Sequence, residues 1–90
     1  MKKAIVTVVG KDTVGIIYSV TGVLSGNNVN ILDISQTILD GMFTMMMIVD
    51  VDASTVGFDI LADLLAKEGE KLGVEIRIQL EDIFEAMHRI

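Results

Sequence analysis

Ninety residues, 51% of them hydrophobic and none of them cysteine, suit one two-layer domain and exclude disulfides and thiolate metal sites. A formal net charge of −6 argues against nonspecific nucleic-acid binding, which needs Lys and Arg against phosphates. No uncharged apolar run approaches the ~18–20 residues of a membrane span, yet mean hydropathy is +0.59, more apolar content than one small core is expected to absorb.

Met1-Lys2-Lys3 runs straight into strand-like Ala4-Ile5-Val6. The apolar core and cleavage site of a secretory signal are missing there, so a cytoplasmic location is expected. Residues 4–9 read as a short strand with almost no polar face, as a central strand has. Gly10-Lys11-Asp12-Thr13-Val14-Gly15 follows as a loop, and a helix is expected to start at Asp12 or Thr13, either of which can cap a first turn. Ile16 or Ile17, then Val20, Val23 and Leu24 form its inward stripe at three- and four-residue spacing. Gly26-Asn27-Asn28 stops it, since Gly and Asn tolerate the left-handed conformation that closes a helix.

A long strand is expected over 29–39, then Asp40-Gly41 as a tight hairpin and a returning strand over 42–51. Ser54 or Thr55 is expected to cap a second helix. Phe58, Leu61, Leu65 and Leu72 make that helix's stripe, widened by Ile60 and Leu64. Gly73 closes it, and 74–80 alternates cleanly as a last strand. Beyond it, 81–90 is expected to form a helical tail with Ile83, Phe84 and Met87 on one side.

Strand, helix, strand, strand, helix, strand is an α+β order. It predicts a single ferredoxin-like βαββαβ domain over 1–90, a four-stranded antiparallel sheet with both helices on one face. Alternation sets Phe43, Met45 and Met47 on one face of the Met-rich strand, with Met46 and Ile48 on the other. The second face is therefore expected to be apolar, covered either by the tail within one chain or by another subunit, and the chain is expected to form a homodimer or larger even oligomer by joining sheet faces or sheet edges.

Chemistry-bearing clusters are sparse. His88 is the single histidine, Asp50 and Asp52 mark a strand exit, and Glu68, Glu70, Glu75, Glu81 and Glu85 read as surface charge. No spacing is diagnostic of a metal site, so neither metal nor cofactor is expected. The paired thiols of ferredoxin-like metal chaperones and the loop arginine of acylphosphatases are absent. Phe43 is the lone aromatic where RNA-recognition modules carry several. The loop offers more: Gly10 and Gly15 as tight-turn residues, and backbone N–H groups at a helix N-terminus suited to a carboxylate. It lacks the Gly-Lys-Ser/Thr ending of a phosphate loop. Asn30 lies past the turn, where an amide between Val29 and Ile31 is unusual for a strand.

Gly-Lys-Asp-x-x-Gly-Ile from Gly10, the helix after it and the Asn-Ile pair at Asn30-Ile31 resemble an ACT domain. The whole chain is similar to the small stand-alone ACT proteins of bacteria and archaea. Val14 stands where many ACT domains carry proline, which leaves the loop less rigidly preset. The resemblance implies a non-enzymatic regulatory module binding an amino acid or similar small polar metabolite at a homodimer interface, and possession of a regulated protein partner. It implies Asp12, Thr13, Val14, Gly15, Ile16 and Asn30 as the ligand site. The competing reading is a dimerising interaction module whose loop residues are only caps, and a small enzyme ranks third.

Overall fold

β-branched and apolar residues at alternate positions build the two middle strands, and two amphipathic helices cover one side of them. The computed structural model describes residues 2–11 and 13–81. The expected tail helix, with Ile83, Phe84 and Met87, lies outside the described residues from 82 onward, as does Asp12. The elements are β1 (Lys3–Lys11), α1 (Ile16–Gly26), β2 (Asn30–Leu39), β3 (Met42–Asp50), α2 (Phe58–Leu72) and β4 (Val74–Leu80). They form one four-stranded sheet in the order β2-β3-β1-β4, antiparallel throughout.

Pairing of Val6 with Met47 and Ile78, and of Val8 with Met45 and Ile76, places these side chains on the helix side. There Ile16, Val20 and Leu24 from α1 and Leu61 and Leu65 from α2 complete the buried cluster. Met45 and Met47 are fully buried while Met42 and Met46 are exposed, as strand alternation requires.

The opposite face differs from the apolar surface expected. Ile5, Val9, Met46 and Ile48 run along the middle strands. Asp33, Ser35 and Thr37 on β2 and Glu75, Arg77 and Gln79 on β4 flank them by register. On this face the middle strands mix those apolar residues with Thr7 and Thr44 and end in Lys3, Lys11 and Asp50, and the edge strands present polar side chains where no helix among the described residues covers them.

Neither helix starts as expected. Gly15, at φ 90°, is the N-cap of α1 and Gly57 that of α2, and neither helix has a side-chain cap. The Thr13 hydroxyl donates instead to the Lys11 carbonyl at 3.1 Å. Ser54 Oγ turns back on Val56, accepting from its N–H and donating to its carbonyl, so α2 begins later than a Ser54 or Thr55 cap would allow. The stops agree with the sequence. Asn28 takes the left-handed conformation at φ 60°. Its N–H reaches the Ser25 carbonyl and that of Val29 reaches Leu24, which satisfies the last carbonyls of α1. Asp40 and Gly41 at φ 53° and 76° form the two-residue turn whose twist suits a hairpin.

Gly10 is a strand residue rather than a turn residue, pairing with Phe43 and Val74. A Cβ there would lie 2.6 Å from Val74 Cγ1 and 2.9 Å from its Cα, so the middle of the sheet closes only over a bare Cα. Gly69 plays the same part in α2, where a Cβ would stand 2.6 Å from the Val74 carbonyl oxygen; at Gly22 in α1 nothing lies within 4 Å. Gly22→Ala is therefore expected to stabilise the fold by about 0.5–1 kcal/mol. Gly69→Ala should destabilise it by about 1–3 kcal/mol, since backbone must move. Urea unfolding of the two variants checks both signs.

Candidate functional site

Where β1 hands the chain to α1, the backbone turns through Thr13, Val14 and Gly15. Val14 projects outward, 97% exposed, while Ile16 is buried at 2%. The left-handed Gly15 lets this reversal occur within a few residues, at little steric cost because it has no Cβ. With no side-chain cap on α1, its first N–H groups point outward with the positive end of the helix dipole. They open on a shallow cleft of about 360 Å³ lined by Thr13, Gly15, Ile17, Tyr18, Gln36, Ile38 and Phe43 with Ile16 behind.

Among the described residues, no side chain lining this cleft is charged. Its walls are aliphatic and aromatic, and the polar groups of its lining residues are the Thr13 and Tyr18 hydroxyls, the Gln36 amide and the main chain. Such a cleft takes a small molecule with an apolar body and an acceptor end. Among the described residues no group of three acidic or histidine side chains is placed to hold a metal ion. No helix among them is long and apolar enough to cross a membrane.

Of the residues expected to act together, Thr13, Gly15 and Ile16 do meet in this cleft, whereas Val14 projects to solvent and does not line it. Asn30 does not. It pairs with Asp50, which pairs with Lys3, at the end of the sheet away from the loop. Along β2 the cleft residues Gln36 and Ile38 lie about 20–27 Å from Asn30, at ~3.4 Å per residue. Asn30 is exposed, its side-chain amide makes no hydrogen bond among the described residues, and it lines a separate hollow with Ser25, Asn28, Val29 and Ala53. Its neighbours are structural: the Asn27 amide donates to the Val23 carbonyl at 2.8 Å and the Asn28 amide to that of Ala53 at 3.0 Å.

Gln36 and Ile38 were not singled out from the sequence, and Phe43 was not assigned to this site, although a signal for all three exists there. Once Asp40-Gly41 closes a two-residue hairpin, Ile38 must oppose Phe43, and the core side of Phe43 is then shared by Ile38 and, two residues back, by Gln36.

A βαββαβ antiparallel sheet with helices on one face and a glycine-bounded cleft after its first strand defines a ferredoxin-like domain of the kind that holds small ligands. The chain belongs to the ACT domain family, whose pattern matches residues 2–79; ACT domains are regulatory, ligand-binding modules. It is 57% identical over 90 residues to a UPF0237 protein of Bifidobacterium longum, covering 100% of both chains. To a UPF0237 protein of Methanocaldococcus jannaschii it is 50% identical over 90 residues, again covering 100% of both. Its structure is similar to that of an ACT domain protein from Streptococcus pneumoniae, with TM-score 0.81 and 47% identity over 97% of this chain and 98% of that one.

The two asparagines separate structural from available roles. Asn28→Ala removes the bond to Ala53 and forces a Cβ residue without a polar side chain into the left-handed region, and should cost about 1–2 kcal/mol. Asn30→Ala should leave thermal unfolding within about 0.5 kcal/mol of the parent. Calorimetric melting of both variants tests the assignment.

Proposed function

We propose that this chain is a cytoplasmic, non-enzymatic regulatory module that binds an amino acid or a similar small polar metabolite at a homodimer interface. The observation that carries this reading is the separation just described. An uncapped helix N-terminus with an apolar cleft lies at one end of β2, and an unengaged amide lies at the other. A two-fold partner running antiparallel along β2 presents its own Asn30 at the loop end of the first copy, and receives Asn30 in return.

In this arrangement the ligand carboxylate takes the N–H groups of Ile16 and Ile17 beside Gly15 and Thr13. The ligand's remaining polar group meets Asn30 of the other copy. Ile17, Tyr18, Ile38 and Phe43 receive its apolar part, and Asp12 and Val14 belong to the same loop. Membership in a family of regulatory ligand-binding modules supports the ligand class, and a regulated enzyme or other protein is the expected downstream partner. The absence of a clustered acid, base or nucleophile among the described residues around the cleft favours binding over catalysis. A dimerising interaction module with no small ligand is the second reading. It is favoured by the large apolar side chains left exposed at Val14, Tyr18, Ile38 and Leu39.

Titration calorimetry against a panel of amino acids separates the two. The ligand reading predicts saturable heat with at least one member, and a ~10- to 100-fold weaker Kd in Asn30→Ala, the loss of one hydrogen bond to a charged group. Absence of heat and of any melting shift across the panel would leave the interaction module.

A further inference from the structure

We infer that the last residues of the chain, 82–90, fold back as a helix across the uncovered face of their own sheet and occupy the half of it next to the end of β4. The inference stands apart from the ligand reading and assigns an occupant to the sheet face that α1 and α2 leave open.

Burial is the first argument. Ile5 and Val9 both belong to β1, share the uncovered face by alternation and have a strand on either side. Val9 is 42% exposed and Ile5 only 7%, although Ile5 is not part of the cluster that the helices bury. The neighbouring strands repeat the gradient. On β3, Ile48 is half-buried while Met46 and Met42 are exposed; on β4, Gln79 is half-buried while Arg77 and Glu75 are exposed. Adjacent strands shield both ends alike, so the end where Leu80 pairs with Ala4 takes further cover from above the sheet. That shielding exists within a single chain, so a second copy does not supply it.

Reach is the second argument. β4 ends at Leu80 and Glu81 is already helical, with no glycine or proline after it to turn the chain away. Helical continuation to Ile90 advances about 14 Å at ~1.5 Å per residue. From β4 the sheet continues through β1 and β3 to β2, three strand spacings of ~4.8 Å and the same ~14 Å in all. The tail therefore just crosses the sheet, with Phe84 over β1 and Met87 over β3. Ile83, Met87 and Ile90 recur at four and three residues with Phe84 beside the first, one apolar stripe to set against Ile5 and Ile48.

Charge order is the third. On the uncovered face β4 and β1 carry Arg77, Lys3 and Lys11, whereas β3 and β2 carry Asp50 and Asp33. Glu75, the exception, is tied to Arg77 at 2.6 Å. Along the tail the signs run the other way: Glu81, Asp82 and Glu85 come first, then His88 and Arg89. A tail laid from β4 toward β2 thus sets acid over base and then base over acid. With the tail in place this face is closed to stacking of two sheets, and only its far half, around Val9 and Met46, stays open.

The chain contains neither tryptophan nor cysteine, so single substitutions introduce unique reporters. Ile5→Cys should react with a maleimide roughly tenfold more slowly than Val9→Cys, because a thiol must be accessible to react. Adding Phe84→Asp should bring Ile5→Cys up to the rate of Val9→Cys and leave Val9→Cys unchanged, with the circular dichroism spectrum retained. After subunit exchange with excess Phe84→Asp chains, Ile5→Cys should stay slow, since its own tail is intact. Phe84→Trp, a milder change, reads the same contact from the tail side: its emission should be blue-shifted and shielded from acrylamide. It decides the matter if Phe84→Asp does not fold. A folded Phe84→Asp chain in which Ile5→Cys remains slow, or a solvent-exposed indole in Phe84→Trp, would overturn the inference. So would acceleration of Ile5→Cys in the mixture, which would show that tails are exchanged between copies.

Discussion

The packing of Val6, Val8, Met45 and Met47 from the middle strands against Leu24, Leu61 and Leu65 from the helices is the contact on which the other features depend. Each of these side chains loses nearly all of its solvent exposure, contributing roughly 1.5–3 kcal/mol apiece before ordering costs are subtracted. Their burial sets the register of β1 against β3, because a slip of one residue would turn every one of them to the other face. With that register set, β2 is left as an edge strand that α1 covers only at its start, and its exposed isoleucines follow. The same register sends Asn30 to one end of the sheet and the Gly15 turn to the other.

Much of this was legible in the residue pattern, for identifiable reasons. Alternation in 42–50 assigns Met45 and Met47 to the core because a strand has a period of two. Asp40-Gly41 marks the hairpin because both of its residues must take positive φ. Gly73 and Asn28 mark helix ends for the same cause. The starts were harder to read. Asp12, Thr13, Ser54 and Thr55 are all capable caps by type, but the two helices begin after Gly15 and Gly57, where backbone geometry decides. Gly10 and Gly69 have a role that no local pattern encodes: both are bare because of Val74, which is distant in sequence from Gly10 and belongs to another element in each case.

The candidate site was half legible. The loop residues could be grouped from sequence because they are contiguous, and Asn30 could be noticed because an amide is out of place there. That they lie about 20–27 Å apart in one chain follows only from the crossover of α1, which returns the chain to the starting end of the sheet before β2 begins. Gln36 and Ile38, which join the loop in forming the cleft, required the hairpin register. A site divided in this way has a regulatory consequence. A ligand that needs both halves binds only the assembled pair, so binding and assembly are linked and each strengthens the other.

The central claim is that one binding site draws on two chains, and mixing two disabled variants tests it most directly. Gly15→Val strains the loop, since its φ of 90° disfavours any residue with a Cβ, while Asn30→Ala removes the distant amide. A site shared across the axis predicts that neither variant binds well alone. The mixed dimer, after exchange of subunits, regains one intact site by joining the sound loop of one chain to the sound Asn30 of the other, giving about a quarter of the parental site number at equal mixing. No recovery of binding, with subunit exchange demonstrated by mass, would show that each site is built within a single chain.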